Sequence, residues 1–157
     1  MMHSTSSLCL LCLLVPALAG AAEDLPGGAE VPIYERGTVT FYVDGGIDGY
    51  GDTAFMLDTG SAYVTIDQST LAVLERHSRA EFLRTIEGMM ADGRRRSVPI
   101  YRLSGIRLGQ CEIRDVEAAV FPRGTRHILG LNALKAAAPF TVSLEPPRLA
   151  LGKCATG

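Results

Sequence analysis

Phe55-Met56-Leu57-Asp58-Thr59-Gly60-Ser61 places an ionisable side chain at the end of an apolar run. With Thr53 and Ala54 in front, residues 53–57 read as a near-continuous apolar strand, the pattern of a strand covered on both faces. A carboxylate at the end of such a strand is costly unless it is solvated, hydrogen-bonded or put to use. The residues after it suit that need. Thr59 can donate its hydroxyl to neighbouring backbone. Gly60 lets the chain turn tightly and brings backbone N–H groups near the carboxylate. Ser61 can hydrogen-bond the same carboxylate and favour its ionised form. The bland reading is an Asp that caps a strand-to-turn transition, and the tripeptide alone does not exclude it. The context of the tripeptide carries the argument further.

Outward from this motif the chain reads as mostly strand. Residues 31–43 form one extended stretch whose second half alternates, with Val39, Phe41 and Val43 on one face and Thr38, Thr40 and Tyr42 on the other. The glycine- and aspartate-rich residues 44–52 read as a turn. Residues 62–66 resume as strand. A helix is expected over about 68–77, with Leu71, Val73 and Leu74 on its apolar face and Asp67 or Ser69 as its cap. Extended runs at 82–90 and 94–103 flank Ala91-Asp92-Gly93, and Asp-Gly between two such runs signals a hairpin. A second hairpin joins 106–108 to 113–120 through Gly109-Gln110, with a bulge expected between Ile113 and Val116. Ile128-Leu129-Gly130 precedes a short helix at 131–136, ended by Pro139. Strands at 140–144 and 149–151, joined by a turn at 145–148, close the chain.

The whole chain bounds these readings. Its 157 residues suit one domain. A formal net charge of -2 gives no reason to expect nucleic acid or an anionic membrane surface as partner. Seventeen glycines and no tryptophan favour a turn-rich β fold. Residues 1–22 read as a signal peptide: an apolar stretch from Ser7 to Pro16, then the small-x-small pattern Ala17-Leu18-Ala19. Left uncleaved, the segment would be a membrane anchor. Residues 23–30 read as a flexible start of the mature chain and 31–154 as its single domain. The expected location is therefore periplasmic or secreted. Cleavage would remove Cys9 and Cys12 and leave Cys111 and Cys154, which can form one disulfide, stay single, or pair between subunits through Cys154. After residue 22 no Cys-x-x-Cys or clustered histidine spacing suggests a metal. Ser61 lacks the Gly-x-Ser-x-Gly setting of a serine hydrolase, and His127 reads as a loop residue. Arg94-Arg95-Arg96 reads as a solvated edge that resists aggregation or as a preference for acidic substrate segments. Met89-Met90 reads as core packing or as a substrate contact.

Taken together, these elements resemble the retropepsin-like aspartic proteases, in their bacterial single-domain form. The residues around Asp58 are similar to the active-site loop of that family. Ile128-Leu129-Gly130 matches the hydrophobic-hydrophobic-Gly element that packs behind it, and the hairpin tip falls where the family keeps its flap. The closing pattern from Leu134 to Leu151 is also similar. The resemblance spans residues 33–151. It implies an all-β, closed barrel-like fold with one or two short helices, Asp58 as catalytic carboxylate, and Thr59, Gly60 and Ser61 as support. It also implies Met90, Ala91, Asp92 and Gly93 as flap residues over a protein or peptide substrate, with no metal or organic cofactor. The chemistry needs two carboxylates around one water, and the chain has one such motif, so the resemblance implies a homodimer. Two departures stand out: Ser61 replaces the more usual alanine, and the glycine-rich stretch before the catalytic strand is long. The other function consistent with the fold is a non-catalytic binding or regulatory module.

Overall fold

A computed structural model describes residues 28–37, 39–90 and 92–154. The expected signal segment, most of the expected flexible stretch, and Ala91 lie outside the described residues. Among the described residues no helix is long and apolar enough to cross a membrane.

The chain opens as a hairpin, β1 (Ala29–Glu35) and β2 (Phe41–Ile47), with Ile33 opposite Val43 and Glu35 opposite Phe41. This corrects the single strand expected at 31–43. The chain reverses between the two, and Val39 sits in that reversal with φ 55 and 79% exposure, not on a buried face. A second correction follows at once. β2 runs on through Gly45 and Gly46, and the turn is confined to residues 48–50 before β3 (Gly51–Leu57). These glycines allow close approach of backbone, not reversal: a Cβ on Gly45 would collide with the carbonyl oxygen of Arg107.

β4 (Val64–Asp67) is buried throughout and leads into α1 (Gln68–Arg76). Asp67 caps the helix, accepting the N–H of Thr70 at 2.8 Å. β5 (Ala80–Met89) and β6 (Arg95–Leu108) form the long hairpin, and β7 (Cys111–Phe121) returns along β6. β6 is one strand where two were expected, since Gly105 allows β7 to pack close beside it without a break. The expected bulge near Ile113 is absent from the β6–β7 register, and Asp115 takes up the local irregularity at φ 54. The register slips instead between Phe82 and Arg84. β8 (Ile128–Leu129), α2 (Leu131–Ala136), β9 (Phe140–Leu144) and β10 (Pro147–Leu151) complete the fold.

The sheet order is β5-β6-β7-β4-β8-β3-β2-β1-β10-β9, and β2 pairs again with β6 at Gly46–Arg107 and Ile47–Ile106. That extra pairing closes the strands from β6 round to β2 into a barrel, the closure expected of an all-β fold. Phe55, Ile66, Leu103, Ile106, Leu108, Leu129 and Leu134 fill it, each essentially inaccessible to solvent. Two arms leave the barrel: the β5–β6 hairpin on one side and the β1-β10-β9 ribbon on the other. Cys111 and Cys154 form a disulfide, with Cα atoms 4.7 Å apart, that ties the start of β7 to the end of the ribbon.

Candidate active site

Asp58 follows directly from β3, and its N–H still donates to the Leu129 carbonyl at 3.2 Å. The ladder between β3 and the parallel β8 therefore holds the backbone of the residue that must be placed. Immediately afterwards the chain turns. Gly60 N–H donates to Asp58 Oδ1 at 2.9 Å, and a Cβ on Gly60 would lie 3.2 Å from that oxygen. The glycine thus supplies a charge-assisted donor without crowding the carboxylate. Ser61 N–H donates to the Asp58 carbonyl at 3.2 Å.

The Ser61 hydroxyl does not serve the carboxylate. It donates to the carbonyl of Tyr63 at 2.9 Å, because the turn points it forward along the chain. Its expected support of the ionised form is corrected accordingly, and its partner is backbone, not a histidine. Thr59 is exposed, and its hydroxyl has no hydrogen bond among the described residues.

Behind the loop, Gly130 is pressed against Tyr63: any Cβ there would collide with the Tyr63 carbonyl. Glycine is needed for that approach. The start of α2 then fastens the loop, since Leu131 N–H donates to Ser61 O at 2.8 Å and Asn132 N–H to Ala62 O at 3.2 Å. The Asn132 side chain completes the clamp. Its Oδ1 accepts Val64 N–H at 2.9 Å and its Nδ2 donates to the Glu117 carbonyl at 2.7 Å. Sequence reasoning missed Asn132. The available signal was an amide side chain two residues beyond Gly130, where a short helix offers it no local role.

The β5–β6 hairpin closes through Met90 N–H to Arg94 O and Gly93 N–H to Met90 O, both at 2.8 Å, with Gly93 at φ 79. Asp92 accepts the Arg94 N–H and side chain, and Arg94 holds its carboxyl below the usual carboxylate range. One face of the hairpin, with Ile86, Met90 and Val98, packs with Tyr63 into a small apolar cluster. The hairpin is thereby joined to the loop that follows Asp58. Met90 packs inward while Met89 is 71% exposed. Of the arginine triplet, Arg94 and Arg95 pair with Asp92 and Glu87.

His127 lies in the loop before β8, as read, and is half-buried. Its ring nitrogens contact the hydroxyls of Thr53 at 2.7 Å and Thr70 at 2.8 Å, and its carbonyl accepts Met56 N–H at 2.9 Å. Next to it in sequence, Arg126 reaches Tyr42 and Met56. Among the described residues no three His, Cys, Asp or Glu side chains converge as a metal site would require.

The assembled geometry is a carboxylate at a strand end, held by backbone on two sides, beside a hairpin arm packed on the loop that follows it. A family model described as aspartyl protease matches residues 42–133, more than half of the sequence. Among solved structures, a retropepsin-like aspartic protease from Rickettsia conorii is similar, with a TM-score of 0.58 and 19% identity. The match covers 79% of this chain and 90% of that one. At that identity the likeness speaks for the retropepsin-like fold. No curated protein matches.

Proposed function

The chain belongs to the aspartyl protease family, and from that premise we propose that it is an endopeptidase whose paired Asp58 carboxyls, one from each copy of a homodimer, activate a water. The observation that carries this reading is the placement of Asp58, anchored through Leu129 and met by the Gly60 N–H. Two carboxyls facing one water share a proton, since like charges that close do not both ionise. The ionised one takes a proton from the water, and the water oxygen attacks the scissile carbonyl carbon. The protonated one donates a hydrogen bond to the carbonyl oxygen. Collapse of the tetrahedral intermediate breaks the C–N bond, and the amine leaves with a proton returned from the carboxyl pair. A single chain carries one Asp-Thr-Gly sequence, so the second carboxyl comes from a second copy. The flap arm, with Met90, Asp92 and Gly93 at its tip, would lie across the bound peptide.

Asp58→Asn tests the assignment. Asn is nearly isosteric but cannot serve as base. Peptide cleavage is expected to fall at least about 10²-fold, with the circular dichroism spectrum and thermal midpoint retained. Undiminished cleavage by this variant, in a preparation free of contaminating protease, would sink the reading. The intact Asp58, Thr59 and Gly60 speak against a purely non-catalytic module. A periplasmic or secreted location is part of the same proposal. It is supported by the apolar segment near the N-terminus and by a disulfide suited to an oxidising compartment.

A further inference from the structure

Beside the end of β3, just before Asp58, lies a cation with no carboxylate partner among the described residues. Side chains two residues apart on a strand project to the same face. Met56 therefore shares the side of Asp58, about 7 Å back along the strand. Tyr42 stands opposite Met56 on β2, and Ile128 is aligned with it on β8. All three are half-buried, and aligned residues of paired strands project to one side. They form an aromatic and aliphatic floor that leads up to the Asp58 loop.

Arg126 lies against this floor. Its guanidinium is 3.5 Å from the Tyr42 hydroxyl and 3.7 Å from the Met56 sulfur. Both contacts are long and weak, so most of the five guanidinium donors stay free. What marks Arg126 is its contact with Met56, two positions before Asp58. Eight arginines pair with an Asp or Glu. Arg36, Arg76, Arg96, Arg123 and Arg126 form no ion pair among the described residues, and of these Arg36 lies over the Tyr42 ring while Arg126 reaches Met56. In the arginine triplet of the hairpin, Arg94 and Arg95 are paired with Asp92 and Glu87.

We propose that Arg126 is a specificity-determining residue that binds the carboxylate of a Glu or Asp flanking the scissile bond of the substrate. The inference rests on the aspartic-protease reading for its context. A planar guanidinium over a half-buried floor suits a carboxylate, which it can meet with two parallel hydrogen bonds. Tyr42, Met56 and Ile128 would cover the methylene groups of a Glu side chain and exclude part of the water that otherwise screens the pair.

The test uses fluorogenic peptide pairs, identical except for Glu against Gln at one position on either side of the cleavage site. The parent, Arg126→Ala, Arg126→Glu and Arg76→Ala are compared. Arg76→Ala, on α1, makes the same change in net charge away from the floor. The parent is expected to favour one Glu peptide by about 10-fold in kcat/KM, as for a hydrogen-bonded ion pair. Arg126→Ala is expected to lose that preference, Arg126→Glu to reverse it, and Arg76→Ala to retain it. Equal cleavage of both members by the parent, or an unchanged preference in Arg126→Ala, would overturn the inference while leaving the protease reading intact. A second arm measures binding of the same peptides to Asp58→Asn by fluorescence anisotropy, with and without Arg126→Ala. If the parent cleaves no peptide, the protease reading fails and this arm alone decides Arg126. Tighter Glu binding that depends on Arg126 supports the inference, and equal binding overturns it.

Discussion

An imidazole held between the hydroxyls of Thr53 and Thr70 ties β3 to α1 at the position just before β8. Burial holds the His127 ring below its ordinary value of 6.5, against a smaller upward pull from Asp67. The folded chain thus prefers the neutral ring, and the unfolded chain takes up a proton first as pH falls. Stability from this group is fully present above about pH 6.5 and drains away as pH drops below it. Asp67 acts in a lower window. Burial pushes its carboxyl up, but hydrogen bonds from Thr70 and Gly124 N–H and from the Ser69 and Thr70 hydroxyls outweigh that and bring it to about 2. Its contribution is present above the usual 3.8 and is lost as pH falls towards 2. Urea unfolding of Asp58→Asn, chosen to prevent self-cleavage, is expected to show stability declining from about pH 6.5 down. His127→Gln keeps an amide that can hydrogen-bond but cannot titrate, and should flatten the decline that begins below about pH 6.5 while leaving the more acidic loss that belongs to Asp67. An unchanged slope in that variant would remove His127 from the account.

At the level of elements, some strong local signals could be read from the sequence, and what depends on a distant partner could not. The β5–β6 hairpin follows from Asp92-Gly93 between extended runs, and the Asp58 turn from Gly60, because each signal lies within the element it specifies. Gly45 and Gly46 mislead because glycine serves both turns and close contacts. Only the crossing of β6, 61 to 62 positions later, shows which applies. The partners of His127 lie 74 and 57 residues away, and Asn132 clamps Val64 from 68 residues away, so the local sequence does not show what either side chain binds. The cysteines have the same character: pairing was one of three readings until β7 and the end of the β1-β10-β9 ribbon were brought together. That bridge spans 43 residues, and chain-entropy arguments assign such a loop about 2–4 kcal/mol of stability. Reduction with dithiothreitol, or Cys154→Ser, is expected to lower the unfolding free energy by that amount. Protection of β9 and β10 amides from exchange should fall before that of β4, which is buried at the centre of the barrel. Equal loss of protection in both would mean that the ribbon is not separately held by the bridge.

For the whole molecule, the decisive quantity is the number of carboxyls per active centre. The barrel is a single lobe with one Asp58, and the clamp of Gly60, Gly130 and Asn132 positions that one residue and no second. A two-fold arrangement would bring identical loops face to face, as an isologous interface does. Subunit mixing reads this directly. Parent and Asp58→Asn are combined in equal amounts, left to exchange in the presence of a saturating peptide, and assayed at constant total concentration. If both carboxyls are required and subunits pair at random, only parent–parent dimers work, and activity falls to about a quarter of that of undiluted parent. If each chain acts alone, half the activity remains. Saturating peptide matters because a dimer that assembles on its substrate would otherwise pass for a monomer. A result near one half would therefore count against the shared centre itself.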